Sequence, residues 1–381
     1  MASEWPRVSL GELLTLERRP VKVLPDAQYA EIGTYSFGRG IFHKQPRSGL
    51  EVGDKDLYLI RAGDFILQIT FAWEGAVALA SAAEDGMYGS VRFPTFRVNE
   101  VRCYSPFLVN YFKIDEGRRQ LVNISPGSAG RNRVLSIKRI PEVSIPLPPL
   151  DEQRRIVARI EALARRVEEA RGLRREAAGE AEALLKSARV EVFTDQNAEK
   201  LGKSLGEIAT FLDSKRIPLN AEQRGEKQPG DIPYYGASGI VDYVNEWLFD
   251  ETLLLVSEDG ANIELRSKPI AFVIRGKSWV NNHAHVLRLH SETSAVFLSH
   301  YIESLDVRPY WQGATRPKIN KSALEAMQVP DVPSIEQQRI VAYLDGLQAK
   351  VDELKHLQTE TQKELDALMP SILAKAFAGE L

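Results

Sequence analysis

From Ile156 onward, apolar residues recur at alternating steps of four and three: Ile156, Ile160, Leu163, Val167, Ala170, a polar Arg174, then Ala177, Ala181, Leu184 and Ala188. The series is repeated 184 positions later as Ile340, Leu344, Leu347, Val351, Leu354, a polar Gln358, then Thr361, Leu365, Leu368 and Ile372. Steps of four and three trace one face of a helix with the period of a heptad seam, whereas a strand would alternate every second residue. The pattern predicts two long helices built to one register. Both seams turn polar at the same place, and a single polar seam position can fix the register of paired helices. The economical arrangement packs the two helices together. Ile156, Ile160, Leu163, Val167, Ile340, Leu344, Leu347, Val351 and Leu354 are then expected to form a helix-pair or partner interface.

The helix starts carry their own signals. Pro148-Pro149 and Pro333 end any preceding helix, because proline lacks the amide donor and restricts the residue before it. Ser334 with Gln337 reads as a capping box, and Asp151 and Glu152 suit the positive end of a helix dipole. A helix from Asp151 to Phe193 would span roughly 64 Å at 1.5 Å per residue. The second is expected from Ser334 to about Phe377, kinked at Pro370 and stopped at Gly379.

Outside the helices the pattern changes to short apolar or alternating runs punctuated by Gly, Asp and Pro. Strands are expected at Leu57–Ile60, Asp64–Thr70, Ala76–Ala80, Thr252–Val256, Ile270–Ile274 and His285–Leu289, and helical turns near Phe107–Gln120 and Thr293–Leu305. The duplication reaches this far. Ser9-Leu10-Gly11-Glu12-Leu13 is echoed by Ser204-Leu205-Gly206-Glu207-Ile208. Leu135, Ile140, Val143, Ile145 and Pro146 are echoed at the 184 offset by Ile319, Leu324, Met327, Val329 and Pro330. The interiors of the two halves do not resemble each other. The expected plan is α+β, an internal pseudo-two-fold duplication with one frame around two different surfaces. It comprises a recognition domain at 1–149, a helix at 150–198, a second domain at 199–333 and a second helix at 334–381.

Composition narrows the class. Of 381 residues 44% are hydrophobic, enough for ordinary packed cores, and no run of 18 apolar residues suggests a membrane span. No secretory signal is visible at the start, and Cys103 is the single cysteine, which together fit a reducing cytoplasm. The net charge of −3 is unevenly spread: residues 1–149 hold 19 Lys/Arg against 16 Asp/Glu, and residues 199–333 hold 15 against 18. Any nucleic-acid contact therefore needs its cations gathered on one face, or a partner that supplies part of the field.

Catalytic and nucleotide-binding motifs are missing. Gly202-Lys203-Ser204 and Gly276-Lys277-Ser278 lack the upstream glycine of a phosphate loop, and there is no dinucleotide fingerprint, zinc-protease helix or nucleophile elbow. His283 and His285 alternate as strand neighbours would, but no further ligands with metal spacing accompany them, so a polar or DNA-facing role is favoured over a metal site. Glu258, Asp259 and Glu264 read as solvated loop acids ahead of a nuclease site. Two Gly-containing loops with paired cations precede the repeated frame at equivalent places: Ser128, Arg131, Asn132 and Arg133 in one, and Thr315, Arg316 and Lys318 in the other. Such residues suit phosphate contacts and base edges. Tyr234, Tyr235, Ser238, Lys277, Asn281, Asn282 and His283 are further polar and aromatic candidates, with either tyrosine equally suited to a core. Arg39, Lys44 and Arg47 flank a Gly-rich turn, where they either reach phosphates or keep the turn solvated.

The chain resembles the specificity subunits of type I restriction–modification systems over essentially its whole length. The resemblance rests on the paired helix openings at Pro149 and Pro333, with Pro233-Tyr234-Tyr235-Gly236-Ala237-Ser238-Gly239, Asn281-Asn282-His283-Ala284-His285 and Gly313-Ala314-Thr315-Arg316. It implies two target-recognition domains that each read half of a bipartite double-stranded DNA site, and two helices packed antiparallel as a spacer. It further implies recruitment of two methyltransferase subunits, which bind S-adenosylmethionine and methylate adenine, and of restriction subunits that use ATP and Mg. The chain itself would be non-catalytic and bind no cofactor. The rival expectations are a sequence-specific nuclease with a carboxylate metal site and a structural coiled-coil protein.

Overall fold

The computed structural model of the chain describes residues 5–127, 133–195, 201–312 and 317–381. They form two compact units, one of Met1–Gly172 with Thr361–Leu381, the other of Leu173–Glu360. Each unit combines one globular domain with the start of one long helix and the end of the other. The linker helix is continuous from Leu150 to Asp195, 46 residues or about 69 Å. The return helix runs Ser334–Glu360 and the terminal helix Gln362–Phe377.

In the first unit the strand Arg7–Ser9 pairs antiparallel with Ser144–Pro146. Ser9 caps the short helix Leu10–Leu13 by accepting from the Gly11 amide at 3.0 Å, and the Leu10 amide donates to the Val143 carbonyl at 2.8 Å. An antiparallel sheet follows in the order Val77–Leu79, Phe65–Leu67, Thr95–Val98, Leu14–Glu17. The turn into its Phe65 strand places Gly63 at φ +81°, which glycine adopts without a Cβ clash. Beyond the sheet lie the helices Ser105–Tyr111 and Asp115–Asn123.

The second unit repeats this frame. Leu201–Ser204 pairs with Gln328–Pro330, Ser204 and Glu207 form a capping box over the helix Leu205–Ile208, and the Leu205 amide donates to Met327 at 2.8 Å. Its sheet has the order Ala271–Ile274, Leu253–Ser257, Ala284–Arg288, Thr210–Phe211, the same connectivity as in the first unit. The helix Glu292–Ser304 packs on it. The interiors that look unrelated in sequence therefore share this four-stranded sheet, while their other sheets differ: the strand Leu57–Leu59 lies between Tyr88–Ser90 and Pro20–Val21 in the first unit, and Ile232–Gly236 runs parallel to Lys277–Val280 in the second.

The helices join the cores of the domains. Ile156 and Ile160 are buried with Phe107, Tyr111, Leu373 and Ala376, and Ile340 and Leu344 with Phe297, Ile302 and Ala188. Phe377, in the last turn of the terminal helix, lies 5.0 Å from the Phe107 ring and 5.6 Å from Tyr111. Phe193, 184 positions earlier, lies 5.4 Å from Phe297 and 5.3 Å from Tyr301. Antiparallel pairing shows within each unit: Arg171 meets Asp366 at 3.0 Å in the first, and Lys355 meets Glu182 in the second. The two polar seam positions find each other, the Arg174 guanidinium donating to the Gln358 carbonyl and the Gln358 amide to the Arg174 carbonyl.

Four sequence expectations need correction. The break in the second helix falls at Thr361, and Pro370 sits inside the terminal helix. Gln337 does not reach back to Ser334; its amide donates to the Val332 carbonyl at 2.9 Å and its oxygen accepts from Ser294. Leu184 and Leu368 are exposed while Leu185 is buried, because a helix of 3.6 residues per turn drifts about 20° per heptad and carries the buried stripe past a strict seam. The seam residues Ile156, Ile160, Val167, Ile340, Leu344 and Val351 are buried within this chain, with Leu163, Leu347 and Leu354 half-buried, so the first six are not a free partner surface.

Candidate nucleic-acid interface

In the second unit four loops meet at one end of the sheet. The Ser257 hydroxyl donates to the Ala237 carbonyl, the Asn281 amide to Tyr235, the Glu258 amide to His283 and the Ile319 amide to the Glu258 carbonyl. A buried ionic network underlies them. His285 is fully buried, with Nδ1 2.6 Å from Asp213 and Nε2 2.8 Å from the Ile319 carbonyl. Glu258 takes Arg216 at 2.6 Å on one oxygen and Lys318 at 2.8 Å on the other. Burial pushes the Asp213 carboxyl up, but hydrogen bonds from His285 and the Val286 amide outweigh it and hold it below the usual range. Glu258 is likewise held low, burial being outweighed by Lys318 and Arg216. These carboxylates position the loops. The outer edge is polar: Asn282 and Lys318 are exposed, Ser238 is half-buried, and His283 presents its ring with Nδ1 2.9 Å from Asp259.

The first unit builds the same corner with the same backbone bonds. The Leu135 amide donates to Ile69 at 2.8 Å and the Ile69 amide to Arg92 at 3.0 Å, matching Ile319, Glu258 and His283. The buried ionic network is replaced there by Phe93 and Pro94 at the positions of Ala284 and His285. What surrounds the corner is aromatic and basic. Phe37 and Phe71 are exposed, Arg133 lies over the Trp73 ring at 5.8 Å, and Arg118 over Phe37 at 5.8 Å. The turn that carries Arg39 joins this face, since the Phe37 and Gly38 amides donate to Glu74 and Gly75. Arg39 is exposed beside Tyr35.

The structure sorts the candidates read from sequence. Ser238, Asn281, Asn282, His283 and Lys318 come together with the half-buried Tyr235. Asn281 is itself buried and accepts from the His283 amide at 2.8 Å, so it shapes the turn and does not face outward. Tyr234 is a core residue, its hydroxyl accepting from the Leu219 amide at 2.9 Å. His285 is structural, not DNA-facing. Lys277 sits at the far end of its strand, 3.8 Å over the Trp247 ring. Arg47 and Lys44 are drawn to the buried Glu31, with Lys55 as a third cation. Burial raises the Glu31 pKa, yet Lys55 and Arg47 more than reverse it, so these cations are anchored at Glu31, although one carboxylate balances only one of the three. Ser128, Arg131, Asn132, Thr315 and Arg316 lie outside the described residues.

Sequence reading missed Trp73, Arg92, Arg118 and Arg119. The Arg118-Arg119 doublet on a helical stretch was the available signal. Among the described residues no three or more His, Cys, Asp or Glu gather as metal ligands, and no helix is long and apolar enough to cross a membrane. Cys103 is buried, and burial followed by the nearby Glu100 pushes its thiol up to about 12.

Comparison with known proteins agrees with this geometry. The model of the type I restriction modification DNA specificity domain matches residues 2–176 and again 200–363. A protein of Haemophilus influenzae that carries the name of a type I restriction enzyme specificity subunit is 34% identical over 158 residues, covering 42% of this chain and 40% of its own length. A chain solved in work on complex assembly and conformational transition of the type I R-M system superposes with a TM-score of 0.74 at 28% identity, over 100% of this chain and 99% of that one. The HsdS subunit from Thermoanaerobacter tengcongensis does so with a TM-score of 0.64 at 27% identity, over 100% of this chain and 98% of that one.

Proposed function

The chain belongs to the type I restriction–modification DNA specificity family, and from that premise we propose that it reads a bipartite duplex DNA target, one half per recognition domain, for partner subunits that carry out the chemistry. The observation that carries this is the repeated corner. The same backbone bonds hold Ile69, Arg92 and Leu135 in one unit and Glu258, His283 and Ile319 in the other, while the side chains around them differ. A fixed frame with exchanged surface groups suits a reader of two different half-sites, because base edges differ only in their donor, acceptor and methyl patterns.

In this reading Asn282, His283 and Ser238 reach base edges from the second domain, and Lys318 contacts the sugar–phosphate backbone. In this reading the chain is non-catalytic, in keeping with the pairing of Glu258 with Arg216 and Lys318, that of Asp259 with His283, and the burial of Cys103. Methyltransferase subunits bring S-adenosylmethionine and methylate adenine, and restriction subunits bring ATP and Mg. The exposed faces of the helices dock them. The linker helix sets the spacing of the half-sites, for which one turn of B-DNA, about 34 Å, is the natural unit.

The test is a methylome. This chain is co-expressed with its methyltransferase subunit in a methylation-free host, and N6-methyladenine is mapped by single-molecule sequencing. An interrupted motif with one methylated adenine in each half is expected. A soluble, co-purifying complex that leaves no methylation, or a continuous motif, would contradict the proposal.

A further inference from the structure

The first unit carries a recess of about 760 Å³ lined by Trp73, Asp115, Arg118, Arg119, Val122 and Arg133. Three guanidiniums surround it against one carboxylate, and that carboxylate is taken: Asp115 pairs with Arg118. Arg119 is exposed on the helix Asp115–Asn123, and Arg133 is held over the Trp73 indole. Among the described residues neither Arg119 nor Arg133 pairs with a carboxylate. The indole is itself fixed, its Nε1 donating to the Thr70 carbonyl at 2.9 Å. Two uncompensated guanidiniums beside an aromatic wall suit a phosphodiester, which guanidinium binds through paired N–H donors.

Among the described residues the second unit shows no such arginine-lined recess. Phe107-Leu108 and Tyr111 in the first unit correspond to Phe297-Leu298 and Tyr301 in the second. From there to the shared frame at Leu135 and Ile319 the first unit is six residues longer. The longer segment holds the arginine-bearing helix Asp115–Asn123, where the described residues of the second unit show the turn Arg308–Tyr310. The one cation of that turn is neutralised, Arg308 lying 2.6 Å from Asp306. The charge of the halves runs the same way, with a surplus of cations in 1–149 and of anions in 199–333.

We propose that this recess is a DNA backbone clamp on the first domain. Arg119 and Arg133 grip phosphates there without reading sequence, so electrostatic grip is concentrated in the first unit while the second contributes mainly discrimination. This rests on the DNA-reading function above.

The experiment measures the Kd of the chain with its methyltransferase subunits for a duplex bearing the mapped motif, as a function of salt. Each phosphate contact contributes about 0.9 to the slope of log K against log salt. The double variant Arg119→Ala/Arg133→Ala should lower that slope by roughly 2, weaken binding to motif and non-motif duplexes alike, and leave the methylated motif unchanged. Arg119→Lys/Arg133→Lys should keep most of the slope, which separates lost charge from lost folding. An unchanged slope would overturn the clamp, as would a relaxed base in one half-site, or loss of methyltransferase co-purification with DNA binding intact. Wild-type complex that binds no duplex at all would instead sink the DNA-reading function itself.

Discussion

His300 shows at the level of one residue how a domain is tied to the helices. It stands on Glu292–Ser304, its Nε2 2.9 Å from Asp345 of the return helix, and its Nδ1 accepts from Arg189 of the linker helix at 3.3 Å. Arg189 donates onward to Gln348 at 3.0 Å. Burial lowers the His300 pKa, and the bond to Asp345 only partly restores it. The unfolded chain therefore takes up the proton first. Stability of the second unit should be complete above about pH 6.5 and fall as pH drops below it. Chemical denaturation at a series of pH values checks this, and His300→Gln should flatten the slope across that window. A similar lesson comes from Gln153 and Gln337, the glutamines of the repeated helix opening. In sequence Gln337 looked like half of a capping box. In the structure Gln153 is fully buried, donates to the Arg102 and Pro148 carbonyls and accepts from the Tyr104 amide. Both side chains latch the helix to the segment before it, a tertiary role that local spacing cannot announce.

At the level of the element, the seams were legible because burial on one face leaves a period in the chain. Their ends were less so. Nothing local says which domain receives Phe193 or Phe377, because that depends on the helices running antiparallel, so that the end of each packs on the domain preceding the other. The common sheet was hidden for a different reason. Sheet connectivity is held by backbone bonds that many side chains satisfy, so Phe65–Leu67 and Leu253–Ser257 occupy the same place with little likeness. The aromatic wedges yield a direct prediction. Phe193→Ala should destabilise the second unit by about 3–5 kcal/mol, as expected for a large-to-small change in a packed core, and Phe377→Ala, whose ring is only partly buried, should destabilise the first unit by less. Hydrogen exchange resolved along the chain checks it: protection should fall around Phe107 and Tyr111 in one variant and around Phe297 and Tyr301 in the other.

For the molecule as a whole, the duplication gave away the architecture and the family, while the reading surfaces stayed obscure. Exposure decides them, and exposure is not written in residue type: Tyr234 and His285 look like contacts and are buried, whereas the half-buried Trp73 and the exposed Arg119 drew no notice and line an open recess. The central claim is that two heads on one repeated frame read independently. The most direct test maps N6-methyladenine left by the complex carrying Asn282→Ala/His283→Ala, against the wild-type motif. Each lost base contact costs on the order of 1–3 kcal/mol of discrimination. The account predicts that one half of the motif relaxes while the other half and the spacing between them stay as they were. A motif altered in both halves, or left intact by the loss of both side chains, would contradict it.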